Sequence, residues 1–276
     1  MKKIISTSLL VVLLFFSGRI FAQSGTAKPF VLGFTEQISS KVLSENRTLN
    51  IYLPKGYSKD SAKTYPVIYL LDGSSDEDFI HITGLVQFLT MIETLPPSIV
   101  VGVGNVDRKR DFTYPTTIEQ DKKDFPTTGG SEKFISYLEQ EVQPFIQKKY
   151  KTTGKKTIIG QSLGGLLATE ILLKKPGLFT DYIIVSPSLW WDNESLLTAA
   201  PALLEKNLNQ PANVYVSVGT EGKQMEEDAK KLAALLQTAK GNLTVFFSPL
   251  PEEDHLTILH NSVYKAFGLL NPKRSK

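Results

Sequence analysis

Apolar and polar positions cut this chain into short segments that change period repeatedly. Leu49, Ile51 and Leu53 alternate with Thr48, Asn50 and Tyr52, the period of two expected of a strand with one buried face. Residues 30–43 alternate more loosely, so two antiparallel opening strands are predicted, ended by Pro54 and Gly56. Residues 66–71 and 98–103 are continuous apolar runs, as in strands buried on both faces. Further strands are predicted at 181–186, 213–218 and 243–248. Between them the pattern shifts to helical spacing at 85–95, which Pro96 and Pro97 close off, and at 166–173, 224–236 and 256–267. Phe134, Leu138, Val142, Phe145 and Ile146 mark the core stripe of another helix, with Pro144 inside it. Residues 104–130 are polar, carry Pro115 and Pro126, and read as a long irregular loop.

Strands alternating with helices make an α/β chain: a mostly parallel central sheet of about eight strands with helices on both faces. Antiparallel strands at its start give the mixed sheet of an α/β-hydrolase. The decisive stretch is Thr157-Ile158-Ile159-Gly160-Gln161-Ser162-Leu163-Gly164-Gly165. An apolar run ends in Gly-x-Ser-x-Gly and a helical run follows at once, the order of a nucleophile elbow, a sharp turn that lifts a serine hydroxyl above the sheet edge. Gly160 and Gly164 are expected where the backbone passes too close to its neighbours for a side chain. The bland alternative is a glycine-rich turn between a strand and a helix.

Composition changes this picture in three places. Lys2 and Lys3 precede an apolar run at 9–16, and Ile20-Phe21-Ala22 precedes Gln23. That layout predicts a signal peptide over residues 1–22 and a single mature domain over 23–276, exported to a periplasm or beyond the cell. An uncleaved N-terminal anchor is the competing reading. The full chain has 31 Lys and Arg against 28 Asp and Glu, but three of those cations precede residue 23, leaving a balanced remainder. Nothing in that balance points to nucleic acid, and no apolar stretch is long enough for a membrane span in the mature chain. The chain has no cysteine, which excludes disulfides and thiol nucleophiles, and its three histidines are far apart in sequence, against a histidine-rich metal site.

A serine hydroxyl needs a base, most often a histidine oriented by a carboxylate. In this fold they follow in the order serine, acid, histidine, near the carboxyl ends of later strands. His255 lies just past the strand at 243–248 and fits the base; its alternative is a surface histidine in an acidic loop. His260 falls inside the last helix, and His81 lies where it can line the mouth of the site. Glu221 directly follows the strand ending at Val218 and is the first choice of acid, with Glu226 next. An oxyanion needs two backbone donors: one is the N–H of Leu163, the other comes from Gly73 or Ser74.

The runs Val67-Ile68-Tyr69-Leu70-Leu71-Asp72-Gly73, Val101-Gly102-Val103-Gly104-Asn105 with Arg108, Arg110-Asp111, Thr113 and Pro115, Gly160-Gln161-Ser162-Leu163-Gly164-Gly165, and Ser186-Pro187-Ser188-Leu189-Trp190-Trp191 together resemble the putative esterase (esterase D-like) family. The flavour is that of siderophore esterases of the enterochelin and salmochelin type. The resemblance covers nearly the whole of 23–276. It implies an α/β-hydrolase fold, carboxylic-ester hydrolysis of a small molecule, Ser162 as nucleophile, His255 as base, Gly73 as second oxyanion donor, and no metal or organic cofactor. Within it, Arg108, Arg110 and Asp111 either meet an anionic substrate or order their loop. Trp190 and Trp191 either contact an aromatic or sugar substrate or fill the wall behind the pocket. The expected enzyme is an exported serine esterase of siderophore lactones or of carbohydrate or aromatic esters, its oligomeric state open. An acyltransferase with the same acyl-enzyme and a non-catalytic binding protein on the same fold are the rivals.

Overall fold

A computed structural model describes residues 27–272; the segment read as a signal peptide lies outside them. Residues 27–32 carry no helix or strand. From Gly33 onward the chain builds an eight-stranded sheet: β1 (Phe34–Ser40), β2 (Glu45–Tyr52), β3 (Tyr65–Leu70), β4 (Ile99–Val103), β5 (Thr152–Gln161), β6 (Asp181–Val185), β7 (Ala212–Val218) and β8 (Leu243–Pro249). They lie in the order β1-β2-β4-β3-β5-β6-β7-β8. Only β2 runs against its neighbours, pairing antiparallel with β1 and β4; every other pairing is parallel. This is the α/β-hydrolase sheet.

The helices are α1 (Phe79–Met91), α2 (Arg108–Phe112), α3 (Glu119–Asp124), α4 (Ser131–Tyr137), α5 (Gln143–Lys149), α6 (Leu163–Lys174), α7 (Trp191–Asn207), α8 (Lys223–Thr238) and α9 (Ile258–Leu270). β4 and β6 are buried along their whole length, which is why β4 reads as an unbroken apolar run. α6 is buried from Leu163 through Leu173 and is the central helix. Among the described residues no helix is long and apolar enough to cross a membrane.

Three expectations shift. α1 begins at Phe79, six residues before the predicted start at 85. Its stripe Ile82, Leu85, Val86 and Leu89 is buried, but half-buried His81 and exposed Gly84 beside those positions dilute the signal. The helix read at 134–146 is α4 and α5 joined by a π-helical turn, Leu138–Val142, with Pro144 at the start of α5. Proline has no N–H for the ladder, so the break falls there. The polar loop 104–130 is not wholly irregular, because it holds α2 and α3.

That loop is fastened by charge. Arg47 of β2 has no exposed side-chain surface, and its guanidinium donates to Asp111 Oδ2 (2.7 Å), Glu45 Oε1 (2.9 Å) and the Gly104 carbonyl (3.0 Å). Arg110 reaches the other oxygen of Asp111 at 2.7 Å and grips Glu45 with two nitrogens, at 2.7 and 3.1 Å. Two arginines and two carboxylates thus close a network from β2 to α2. The Asp111 and Glu45 hydrogen bonds hold the Arg110 guanidinium above its ordinary value. Of the two roles open to Arg110 and Asp111, the structure selects the ordering of the loop.

Removing one member of a buried charge network strands the others. Arg47→Met is expected to lower unfolding stability by about 3 kcal/mol or more, read as a shift of the urea midpoint at unchanged m-value.

Candidate active site

β5 delivers Ser162 into a conformation that L-residues rarely adopt, φ 58° and ψ −120°. The neighbouring hydrogen bonds hold it there. Its N–H donates to the Val185 carbonyl of β6 (3.1 Å), and its own carbonyl accepts from Leu166 N–H (2.9 Å) and Ser188 N–H (3.0 Å). A Cβ on Gly160 would lie 2.3 Å from the Gly164 carbonyl oxygen, and one on Gly165 would lie 2.9 Å from both Pro187 Cα and the Val185 oxygen. Gly164 itself is less crowded than the sequence suggested, since a Cβ there meets Asp72 Oδ2 at 3.4 Å. The tight positions are Gly160 and Gly165; Gly164 supplies the backbone that Gly160 lies against.

His255 sits on the loop after β8. Its Nδ1 lies 2.5 Å from Glu221 Oε2, and its backbone carbonyl accepts from Gln161 Nε2 at 2.5 Å. The side chain of Glu221 is almost wholly buried, and its second oxygen accepts from Ser186 Oγ (2.5 Å) and Gly219 N–H (2.9 Å). Glu226 turns elsewhere: its Oε1 accepts the backbone N–H groups of Glu221 and Gly222, both at 3.1 Å. The His255 loop is strapped to the end of β7 by Thr220 N–H to the Glu253 carbonyl (2.8 Å) and Leu250 N–H to the Val218 carbonyl (2.9 Å). Ser162, His255 and Glu221 line one cleft of about 430 Å³ with Ser188, Trp190, Thr220, Met225, Asp254 and Leu256. The Ser162 hydroxyl rests on Ser188 Oγ, 3.3 Å away, rather than on the imidazole.

The profile of the family described as "Putative esterase" matches residues 40–248. This chain belongs to that family. The esterase is 31% identical over 264 residues to the ferri-bacillibactin esterase BesA of Bacillus subtilis, covering 88% of this chain and 91% of that one. It is 35% identical over 179 residues to the siderophore triacetylfusarinine C esterase of Aspergillus fumigatus, 56% of each chain. Among solved structures it superposes on an IroE-like serine hydrolase from Shewanella oneidensis with a TM-score of 0.80 at 28% identity, covering 87% of this chain and 80% of that one. Against the BES protein of Bacillus cereus the TM-score is 0.76 at 29% identity, covering 88% and 96%. As a member of the family the esterase is a carboxylic ester hydrolase of the serine-hydrolase class.

Several residues singled out in the sequence occupy other positions in the esterase. The N–H of Gly73 donates to the Val103 carbonyl at 3.0 Å, so it is not free for an oxyanion. Gly73 is glycine for another reason: a Cβ would fall 2.3 Å from Gly102 Cα, where the loop crosses β4. The next N–H, of Ser74, points at the exposed side chain of Glu77 (3.2 Å), whose other oxygen accepts from Asn105 Nδ2 at 2.9 Å. Leu163 N–H, at the first helical position of α6, has no carbonyl one turn back within the helix.

Arg108 grips Asp72 with two nitrogens, at 2.6 and 2.9 Å, and reaches the Gln161 carbonyl at 3.4 Å. It ties the end of β3 to the elbow. Trp191 is fully buried and donates from Nε1 to the Tyr114 carbonyl (2.9 Å), so it belongs to the core and not to a binding surface. Trp190 does line the cleft, backed by Phe125.

His81 and His260 are not isolated: their Nδ1 atoms lie 3.3 Å apart, and His81 Nε2 is 3.0 Å from Asp78 Oδ1. Neither lines the cleft. No group of three or more metal-ligating side chains occurs among the described residues. Ser186, Ser188 and the side chain of Gln161 were not picked out as site residues, although all three lie within motifs quoted for the family. Ser186 also has a positive φ of 42°, a strained residue at the carboxyl end of β6.

Burial pushes the Glu221 carboxyl up, and the hydrogen bonds from His255, Ser186 and Gly219 outweigh it, so the group sits below its ordinary value. A depressed carboxylate adds stability that is complete above its unfolded-state pKa and is lost as pH falls through the folded one. The stability gap between wild type and Glu221→Gln is therefore expected to hold steady above about pH 5 and to lose its pH-dependent part as pH falls below the ordinary carboxylate range. Urea melts across that range check it; a gap that widens on acidification would contradict the assignment.

Proposed function

We propose that the esterase is an exported enzyme that opens siderophore esters through an acyl-enzyme on Ser162. The observation that carries this reading is the convergence of Ser162, His255 and Glu221 on one cleft, in a chain that is similar over 88% of its length to a ferri-bacillibactin esterase. Glu221 accepts from His255 Nδ1–H, which fixes the tautomer and leaves Nε2 with its lone pair. The Ser162 hydroxyl turns from Ser188 towards that nitrogen and gives up its proton as Oγ attacks the ester carbonyl. The oxyanion of the tetrahedral intermediate takes the N–H of Leu163 and, once Glu77 releases it, the N–H of Ser74. Collapse expels the alcohol, which receives the proton from His255. Water then attacks the acyl-enzyme with the same imidazole as base, and the acid leaves with Ser162 regenerated.

Trp190, Met225 and Leu256 give the cleft an apolar wall suited to a flat aryl group. The Arg108 pair with Asp72 supports a role in ordering the elbow. The basic, apolar N-terminal segment supports export.

Incubation with ferri-bacillibactin in H₂¹⁸O, followed by mass spectrometry, tests the reading: one ¹⁸O should enter each carboxyl released. Ser162→Ala and His255→Ala are each expected to lose about a thousandfold or more in kcat, and Glu221→Gln less, since imidazole and oxyanion donors remain. Full turnover by Ser162→Ala would refute the nucleophile. Turnover of small aryl esters alone would keep the mechanism and discard the siderophore.

Gln161 gives a separate expectation. Its amide holds the carbonyl of His255, so Gln161→Ala should lower kcat about tenfold or more at nearly constant KM, through a misplaced base. Equal fluorophosphonate labelling rates for the two proteins would show that the contact does not position the imidazole.

A further inference from the structure

Helix α7 does not start right-handed. Asp192 (φ 49°, ψ 44°), Asn193 (φ 53°, ψ 48°) and Glu194 (φ 57°, ψ 25°) are three successive left-handed residues. L-residues disfavour that region, and it is visited by single residues, chiefly glycine and Asn or Asp, not by runs. None of the three is glycine. Asp72, Ser162 and Ser186 also have positive φ, and they lie just past the carboxyl ends of β3, β5 and β6. Strain of this kind persists only where the surroundings hold it, and it gathers where function needs a fixed geometry.

The turn is held from both sides. Asp192 Oδ1 accepts from the Thr117 N–H (2.8 Å), the Thr116 hydroxyl (2.9 Å) and the Thr117 hydroxyl (3.2 Å), and the Asp192 N–H donates to Asp121 Oδ2 (3.1 Å). Glu194 accepts from Gln224 Nε2 (2.9 Å) and Lys231 Nζ (3.2 Å), both on α8. Its N–H closes the turn on the Trp190 carbonyl at 3.4 Å. Each tether ends beside a piece of the cleft. Asp121 lies in α3, which leads into Phe125, the ring that backs Trp190 with centroids 6.1 Å apart. Gln224 precedes Met225, which lines the cleft together with Trp190. Trp191 is buried and Trp190 half-buried, so the turn begins where one ring is fixed in the core and its neighbour faces the cleft.

We propose that Asp192 and Glu194 are positioning residues: through the left-handed turn they set Trp190 against Phe125 and beside Met225, and so determine the selectivity of the esterase for esters that carry a flat aromatic group. The inference rests on the reading of Trp190 as the wall for such a group. A turn needed only to start α7 would be less strained with glycine in it, or wound right-handed behind an N-cap side chain. Instead its two carboxylates reach two different elements, and both elements contribute to the cleft or to its backing. Ser162, Glu221 and His255 hang from β5, β7 and β8, so release of the turn frees Trp190 and leaves them in place.

Kinetics with two ester pairs test this: p-nitrophenyl benzoate against p-nitrophenyl acetate for the acyl side, and naphthyl acetate against vinyl acetate for the alcohol side. Trp190→Ala identifies the pair that meets the wall, with kcat/KM for its aromatic member expected to fall about tenfold or more. Asn193 is exposed, so changes there act through the backbone. Asn193→Val, whose branched side chain disfavours the left-handed region, should reproduce that loss through KM. The small ester should stay within about twofold, and fluorophosphonate labelling of Ser162 should be unchanged. Asn193→Gly, which tolerates the region, should keep the wild-type ratio. Asp192→Ala should match Asn193→Val, while Asp192→Asn, which retains an accepting oxygen, restores the ratio. Gln224→Ala, an exposed change on α8, should show the same loss in smaller measure. A wild-type aromatic preference in Asn193→Val, Asp192→Ala and Gln224→Ala, beside a lost one in Trp190→Ala, overturns the proposal and leaves the aryl wall standing. An unchanged preference in Trp190→Ala removes the wall and the proposal together. Equal losses on both members of a pair would mark damage to Ser162 and His255, and would overturn it too.

Discussion

The backbone of one residue organises the carboxyl edge of this sheet. Ser162 at φ 58° and ψ −120° is a conformation that costs on the order of 1–3 kcal/mol, and it persists because its surroundings allow no other. Gly160 lies against Gly164, and Gly165 lies against β6 and Pro187. Release of the turn would also expose α6, whose Leu163, Leu166, Leu167, Ile171, Leu172 and Leu173 are buried. At ~1.5–3 kcal/mol for each such side chain, their burial exceeds the strain several-fold, even allowing for a compact unfolded state. The Ser162 turn is held by the core beneath it.

Around that turn the polar groups divide into two systems with different tasks. Arg47, Asp111, Glu45 and Arg110 form a closed cluster that fastens the α2 loop to β2. Asp72, Arg108 and Asn105 draw together the end of β3, the loop after β4 and the elbow. Both spend arginines on the fold, and Arg47 in particular is sealed from solvent. The groups that face the cleft are mostly neutral, apart from Glu221, Asp254 and His255. Such a surface selects by shape and stacking more than by charge.

Much of this was legible along the chain. The buried parallel strands show as unbroken apolar runs, and the elbow shows as Gly-x-Ser-x-Gly between a strand and a helix. What was hidden is whatever depends on where a hydrogen bond goes. Gly73 is a glycine in the expected loop, yet its N–H faces Val103 and its missing side chain makes room for Gly102. Nothing in one dimension separates that reason from an oxyanion role. Trp190 and Trp191 are adjacent and alike, and only the path of the chain puts one in the cleft and the other in the core. His81 and His260 are 179 positions apart and meet because parallel crossovers return to the same side of the sheet. Helix starts were displaced where polar or small residues interrupt the stripe, as in α1.

The π-helical turn Leu138–Val142 has a consequence for inheritance. Glu141 within it accepts the N–H groups of Lys41 (2.8 Å) and Val42 (3.2 Å) and bonds Ser40, so it caps the hairpin between β1 and β2. A π turn amounts to one extra residue carried in an α-helix. Deleting one residue there other than Glu141 would restore regular winding and rotate α4 by about 100° relative to α5, so the buried faces of both helices and the reach of Glu141 to the hairpin could not all be kept. Point changes at exposed positions in that turn are cheap, whereas a one-codon deletion gives up one of these contacts. In this stretch selection must guard the reading length more strictly than the letters.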